Sequence, residues 1–229
     1  MPTVDLSVTP LRELNAALHR LGPDTNETHW QITNPGGRHA IAVGIDAPVT
    51  VEIEGHVGYY CAGMNKHATV LIRGNAGVGV AENMMSGEVR VAGNASQAAG
   101  ATGRGGLLVI EGNASGRCGI SMKGIDIVVK GSIGPMSAFM AQRGNLVVLG
   151  DAGEALGDSL YEARLFVRGT VKSLGADCIE KPMGAEERAI LEHVLARAGL
   201  EGKVSPDEFR FYGSARRLYN FHVDNVDAY

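Results

Sequence analysis

Seven glycines, Gly55, Gly74, Gly93, Gly112, Gly131, Gly150 and Gly169, stand 19 residues apart six times in succession, without an insertion. Self-similarity at a fixed period marks a repeat architecture, in which each unit packs only on its neighbours. The other columns of the repeat identify the unit. Four residues before each glycine stand Val51, Val70, Val89, Leu108, Ile127, Leu146 and Leu165, and two before it Ile53, Ile72, Val91, Ile110, Val129, Val148 and Val167. All fourteen are Val, Ile or Leu at period 2, the pattern of a strand with one face inward. A polar residue follows each glycine (His56, Asn75, Asn94, Asn113, Ser132, Asp151, Thr170). Seven positions past it only Ala or Gly occurs: Ala62, Ala81, Gly100, Gly119, Ala138, Gly157 and Ala176.

These columns predict a mainly β protein, a single-stranded parallel β-helix in which each 19-residue unit makes one turn. Stacked at ~4.8 Å, seven rungs rise about 30 Å. The Val/Ile/Leu columns fill the lumen, and the Ala/Gly column marks where the coil is too tight for a larger side chain. The periodic glycines fit corners that need a positive φ or a close backbone approach. Asn75, Asn94 and Asn113 fit a ladder of stacked side-chain amides. Of 32 glycines, 24 fall between Gly55 and Gly175, so the glycine excess serves position rather than flexibility.

The repeat occupies residues 51–177, and a stack of strands with open ends needs caps. Residues 1–50 supply one. Thr9 and Pro10 read as N-cap and first helical residue, Leu11, Leu14, Leu18 and Leu21 follow at helical spacing, and Gly22 stops the helix. Strand-like pieces at 29–33 and 39–43 flank an Asn34-Pro35-Gly36-Gly37 turn. Residues 178–229 supply the other. Positions 186–198 read as an amphipathic helix through Ile190, Leu191, Val194 and Leu195, ending at Gly199. Ser205-Pro206-Asp207-Glu208 is a capping box. The last 21 residues hold six of the twelve aromatic residues. Phe209, Phe211, Tyr212, Arg216, Arg217, Tyr219 and Phe221 are residue types favoured at interfaces, and the segment reads as a partner-binding tail.

Chemistry-bearing patterns are sparse. Cys61 and Cys118 are three periods apart, ~14 Å, beyond the ~7 Å reach of a disulfide, which fits a reducing, cytoplasmic location. With Cys178 they form no cluster of iron–sulfur or zinc spacing. The seven histidines make no metal-binding pair. Gly74-x-x-Gly77-x-Gly79 recurs every 19 residues with no helix after it, so it reads as a repeat corner rather than a phosphate cradle. Lys66, Arg104 and Lys123 lie on coil loops, as a solvated face or a partner-facing edge. A net charge of −4 argues against a nucleic-acid partner. No apolar run reaches the ~20 residues of a membrane span, and the start lacks the charge and apolar core of a secretion signal. A period of 19 breaks the 18-residue turn of hexapeptide acyltransferases, and no acidic cluster of pectate-lyase type is present. The residues imply no catalytic, cofactor or metal site within this chain.

The repeat exemplified by Gly74-Asn75-Ala76-Gly77-Val78-Gly79 resembles the C-terminal right-handed β-helix of glutamate synthase large chains, named for G-x-G-x-G repeats, over about residues 40–180. One chain of the formylmethanofuran dehydrogenases carries related repeats. The stretches at 59–66 (Tyr59 to Lys66), 81–87 (Ala81 to Gly87), 123–129 (Lys123 to Val129) and 212–221 (Tyr212 to Phe221) are similar to the stand-alone proteins of this type, the middle subunits of N-methylglutamate synthases. The resemblance implies that the coil is a right-handed single-stranded parallel β-helix. It implies a scaffold without catalytic residues that bridges a class II amidotransferase-like subunit and an FMN-binding synthase subunit, FMN and an iron–sulfur cluster residing in the latter. It implies a complex that makes N-methyl-L-glutamate and ammonia from methylamine and L-glutamate. The alternative is the corresponding scaffold of a formylmethanofuran dehydrogenase or formyltransferase–hydrolase complex.

Overall fold

A computed structural model describes residues 1–216. Among them the chain forms one 11-stranded sheet, two α-helices and one short 3-10 helix. Strands β3 (Thr50–Ile53), β4 (Thr69–Ile72), β5 (Glu88–Val91), β6 (Leu107–Ile110), β7 (Lys123–Val129), β8 (Arg143–Val148) and β9 (Arg164–Val167) stack in sequence order, all parallel. Their register is the 19-residue period itself: Val51 faces Val70, Val70 faces Val89, and so on to Leu165. The fold is thus a parallel β-solenoid of about seven turns, as the columns predict.

Each turn has three parts. The first is the strand, whose two alternate Val/Ile/Leu residues are buried in the lumen. The second is a one-residue bridge column, Val57–Ala76–Ala95–Ala114–Ile133–Ala152–Val171. The third is a corner in which three alternate residues hold left-handed φ, at Tyr60, Ala62 and Met64, then Gly79, Ala81 and Asn83, and at the same offsets in each later turn up to Ala155, Gly157 and Ser159. These residues donate alternately to the turns on either side. Tyr60 N–H donates to Val78 O (2.8 Å), Ala62 N–H to Ile41 O (2.9 Å) and Met64 N–H to Glu82 O (2.8 Å). A left-handed non-glycine residue costs about 1 kcal/mol, and an inter-turn hydrogen bond of similar net worth offsets it.

Stacking begins before the first strict repeat. β1 (Thr3–Asp5) and β2 (His29–Thr33) extend the sheet in parallel, with Trp30 opposite Val51. The expected strand at 39–43 is not one. Ala40, Ala42 and Gly44 form a further left-handed corner, since their partners are the carbonyls and N–H groups of the next corner rather than of a strand. Helix α1 (Leu11–His19) closes this end, with Leu14 and Leu18 buried. It begins one residue later than the expected cap: Pro10 is the N-cap, in extended conformation, and Thr9 lies outside. It ends at His19, ahead of Gly22, because Arg20 and Leu21 N–H tighten onto Ala17 and Leu18 carbonyls three residues back. Asn15 completes the seal. Its Nδ2 donates to Ala40 O (2.8 Å) and its Oδ1 accepts from Ala42 N–H (3.0 Å), as a preceding turn would do.

At the other end β10 (Cys178–Lys181) and β11 (Arg210–Ser214) continue the sheet antiparallel, with β11 lying between β9 and β10. Helix α2 (Ala185–Arg197) covers the outer face of β6–β9. There Leu107, Val109, Val128, Val147 and Phe166 form a second core with Leu191, Val194 and Leu195. The outward column, three residues before each periodic glycine, is Glu52, Leu71 and Arg90 in the early turns and Val109, Val128, Val147 and Phe166 in the later ones. That switch from mixed to wholly apolar marks where the helix lies. Arg90 on β5 donates to Arg197 O (3.0 Å) and Ala198 O (3.3 Å), satisfying carbonyls at the helix C-terminus and placing a cation on its negative end.

Candidate functional site

The residues singled out by the repeat work as two coupled structural columns. At the polar column, His56 Nδ1 accepts from Asn75 N–H (2.9 Å), Asn75 Oδ1 from Asn94 N–H (2.8 Å) and Asn94 Oδ1 from Asn113 N–H (2.8 Å). Asn113 Oδ1 accepts from Ser132 N–H (2.8 Å), Ser132 Oγ from Asp151 N–H (2.9 Å) and Asp151 Oδ1 from Thr170 N–H (2.7 Å). The ladder therefore runs side chain to backbone across all seven turns, rather than amide to amide through three. His, Ser and Asp can replace Asn because only an acceptor is needed.

This ladder explains the glycine beside it. A Cβ at Gly93, Gly112 or Gly131 would run into the Asn acceptor reaching up from the turn below, and one at Gly74 would lie 2.6 Å from the Gly55 carbonyl carbon. Of the seven glycines Gly55 alone has a left-handed φ, +132°; the others are required by close approach. In the Ala/Gly column both constraints act. Ala62, Ala81, Gly100, Gly119, Ala138 and Gly157 all hold left-handed φ between +54° and +69°. A Cβ on Gly100 would meet Ile127 Cδ1 in the lumen at 2.5 Å. Ala176 departs from the column: in the last turn the left-handed residue is Asp177, and Leu156 pairs with Leu174, 18 positions on.

Asp151 is the one carboxylate in the ladder. The Thr170 backbone N–H, with its hydroxyl at 2.8 Å, holds the Asp151 carboxyl below its ordinary value. A lowered pKa contributes stability above the unfolded value, lost as pH falls through the folded one. Asp151→Asn is expected to keep the ladder, as Asn does at 75, 94 and 113, and to flatten the acid side of the stability curve below about pH 4. Thermal melts of both proteins between about pH 2 and 7 check this, and equal acid sensitivity would refute it.

The candidate nucleophiles and ligands are structural groups. Cys61, Cys118 and Cys178 are buried free thiols, each pushed up to about 12 by burial, the reverse of an activated nucleophile. Among the described residues, no group of three or more His, Cys, Asp or Glu side chains is placed to hold a metal ion. No helix there is long and apolar enough to cross a membrane. His39 Nδ1 accepts from Tyr59 N–H (2.8 Å) and its ring stacks on Tyr59 at 4.4 Å, so it is a packing residue. A depression of about 560 Å³ lies where β9 gives way to β10 and β11, lined by Arg143, Tyr161, Arg164, Lys181 and Phe211 among others. Its cations are partly engaged within the chain. Arg164 pairs with Glu186 at 2.8 Å, and Lys181 donates to Ser214 O at 3.2 Å.

The aromatic tail is placed differently from the sequence reading. Phe209, Phe211 and Tyr212 are buried in this chain rather than turned to a partner. Phe209 and Phe211 belong to the second core, where Phe211 stacks on Phe166 at 5.3 Å, and Tyr212 belongs to the lumen core. Their alternation with Arg210 is that of a sheet strand. Arg216 pairs with Asp177. Arg217, Tyr219 and Phe221 lie outside the described residues. The signal that distinguishes burial from docking is present in the apolar outer column of β6–β9, which needs the tail's aromatics as cover.

No family model matches the sequence. Among curated proteins, Protein GlxC of Rhizobium meliloti (strain 1021) is 66% identical to the chain over 229 residues, covering all of both proteins. At that identity over the whole of both proteins, the chain belongs to the GlxC family.

Proposed function

We propose that the chain is a non-catalytic scaffold subunit of a multi-subunit glutamate-synthase-like complex. The observation that carries this reading is how the side chains are used. The lumen is filled by Val, Ile and Leu, the polar column is spent on the inter-turn ladder, and the three thiols are buried at raised pKa. A solenoid of this kind is a stiff spacer that presents long, regular surfaces. The full-length likeness to GlxC, and the similarity of the repeat to glutamate synthase β-helices, support a subunit of that system.

Within it, the finer reading is N-methyl-L-glutamate synthase. This chain bridges an amidotransferase-like subunit and an FMN-binding subunit, the latter carrying FMN and the iron–sulfur cluster. Methylamine and L-glutamate give N-methyl-L-glutamate and ammonia on the partners. Co-expression with the products of the neighbouring genes tests it, by native mass spectrometry and flavin absorbance of the purified assembly. A flavoprotein and an amidotransferase-like chain are expected, with turnover of methylamine. A chain that purifies alone overturns the scaffold reading. Co-purification of a molybdenum or tungsten protein instead moves it to the formyl-handling complex.

A further inference from the structure

One corner of the solenoid carries a feature that neither the ladder nor the cores use. Where the left-handed triplet leads back into the strand, Lys66, Met85, Arg104, Lys123, Gln142 and Tyr161 stand in a single column. Met85 N–H donates to Asn65 O (2.8 Å), Arg104 N–H to Met84 O (2.7 Å), Lys123 N–H to Gly103 O (2.7 Å) and Gln142 N–H to Met122 O (2.8 Å). Arg143 joins them as the register partner of Lys123 on the next strand. Arg104, Lys123 and Arg143 are therefore exposed cations in three successive turns, spaced by about 5 Å of backbone.

Among the described residues eleven of the 20 Lys and Arg side chains make ion pairs, Lys66 among them. Among the described residues Arg104, Lys123 and Arg143 make none. Along the ridge no acid intervenes between Asp46, which Lys66 holds at 2.8 Å, and Glu162 at the far end. Like charges on adjacent strands repel, in a protein whose net charge is −4. Beside them lies apolar surface. Met64, Met85 and Met140 are 41–53% exposed, Met64 and Met140 occupying the column two residues before the basic one. Exposed methionines adapt to a facing surface, and here they flank the row of cations, Met64 and Met85 in the turns before it and Met140 at its far end.

We propose that this ridge is the docking surface for a partner protein presenting a row of carboxylates flanked by apolar side chains. Charge complementarity selects that occupant: three cations at turn spacing, none of them ion-paired among the described residues, match carboxylates on a strand edge or helix face. A depression of about 470 Å³ lined by Lys123, Gln142, Arg143, Tyr161 and Glu162 closes the far end of the row, where Glu162 ends the basic stretch. The inference rests on the multi-subunit reading above and adds which face meets a partner.

The test compares three full-length chains co-expressed with the neighbouring gene products: wild type, the reversal Arg104→Glu/Lys123→Glu/Arg143→Glu, and a control of equal charge change, Arg12→Glu/Arg20→Glu/Lys203→Glu. Thermal melts first confirm that all three fold. Assembly is expected to weaken about a hundredfold in the ridge variant and to stay within about threefold of wild type in the control. Wild-type assembly is expected to weaken with rising salt. Met64→Ser/Met85→Ser is expected to cost about tenfold. Equal assembly of ridge variant and wild type overturns the docking surface and leaves the scaffold reading standing. Failure of the wild type to assemble overturns both. A wild-type homodimer in light scattering that the ridge variant abolishes assigns the face to self-association and overturns the carboxylate-bearing partner.

Discussion

Gly119→Val is expected to destabilise the solenoid by about 3–5 kcal/mol, the sum of left-handed strain on a β-branched residue and overpacking of the lumen. Gly119 has a φ of +69°, and a Cβ there would already stand 3.3 Å from Ile127 Cδ1 and from Met122 Sδ. The γ-methyls of valine extend beyond that point into a lumen whose neighbouring side chains are buried. The same column supplies a control, because Ala62, Ala81 and Ala138 hold φ of +54° to +57°. Gly119→Ala should therefore cost only about 1 kcal/mol. Scanning calorimetry of the two variants separates strain plus bulk from strain alone. A valine variant that melts with the wild type would show that the corner can open without disturbing its neighbours.

The second large effect concerns the C-terminal end. A chain stopped after Glu208 is expected to lose its far cap and to melt well below one stopped after Arg216, which keeps β11. The first truncation removes β11. That exposes the edge of β9, leaves β10 without its partner and uncovers Phe166. Phe209, Phe211 and Tyr212 go with it, each worth roughly 1.5–3 kcal/mol of burial. A freed, hydrophobic strand edge invites aggregation, so the expected readout is loss of soluble protein or a melting point lower by roughly 10 °C or more. The second truncation keeps β11, and comparison with the full chain tests what residues 217–229, with Arg217, Tyr219 and Phe221, add to assembly. Equal melting of the two truncated chains would mean that β11 adds nothing to the fold.

These two experiments divide along the line between what the chain spells out and what it conceals. The sequence by itself determines the solenoid, its turn length and its strand register, because a repeat places each residue type in the same surroundings seven times. Val51, Val70 and Val89 need no partner search when each lies one period from the next. The same repetition exposes the polar column and its glycine, although which atoms bond is not legible from residue names. Asn75 accepts from the backbone of the turn above, a contact that the amide type alone does not distinguish from an amide stack.

Tertiary structure decided the rest. The left-handed corners carry Tyr60, Arg117 and Met136, residues with no preference for positive φ, so no composition signal marks them. They persist because hydrogen bonds from the turns above and below hold each one, and those bonds exist only in the stack. Likewise nothing local in Phe209, Phe211 and Tyr212 separates a docking tail from a core strand. Phe211 and Tyr212 are buried by pairing with Phe166 and Leu165, more than forty residues away, and Phe209 by the second core, contacts that take shape in the folded sheet.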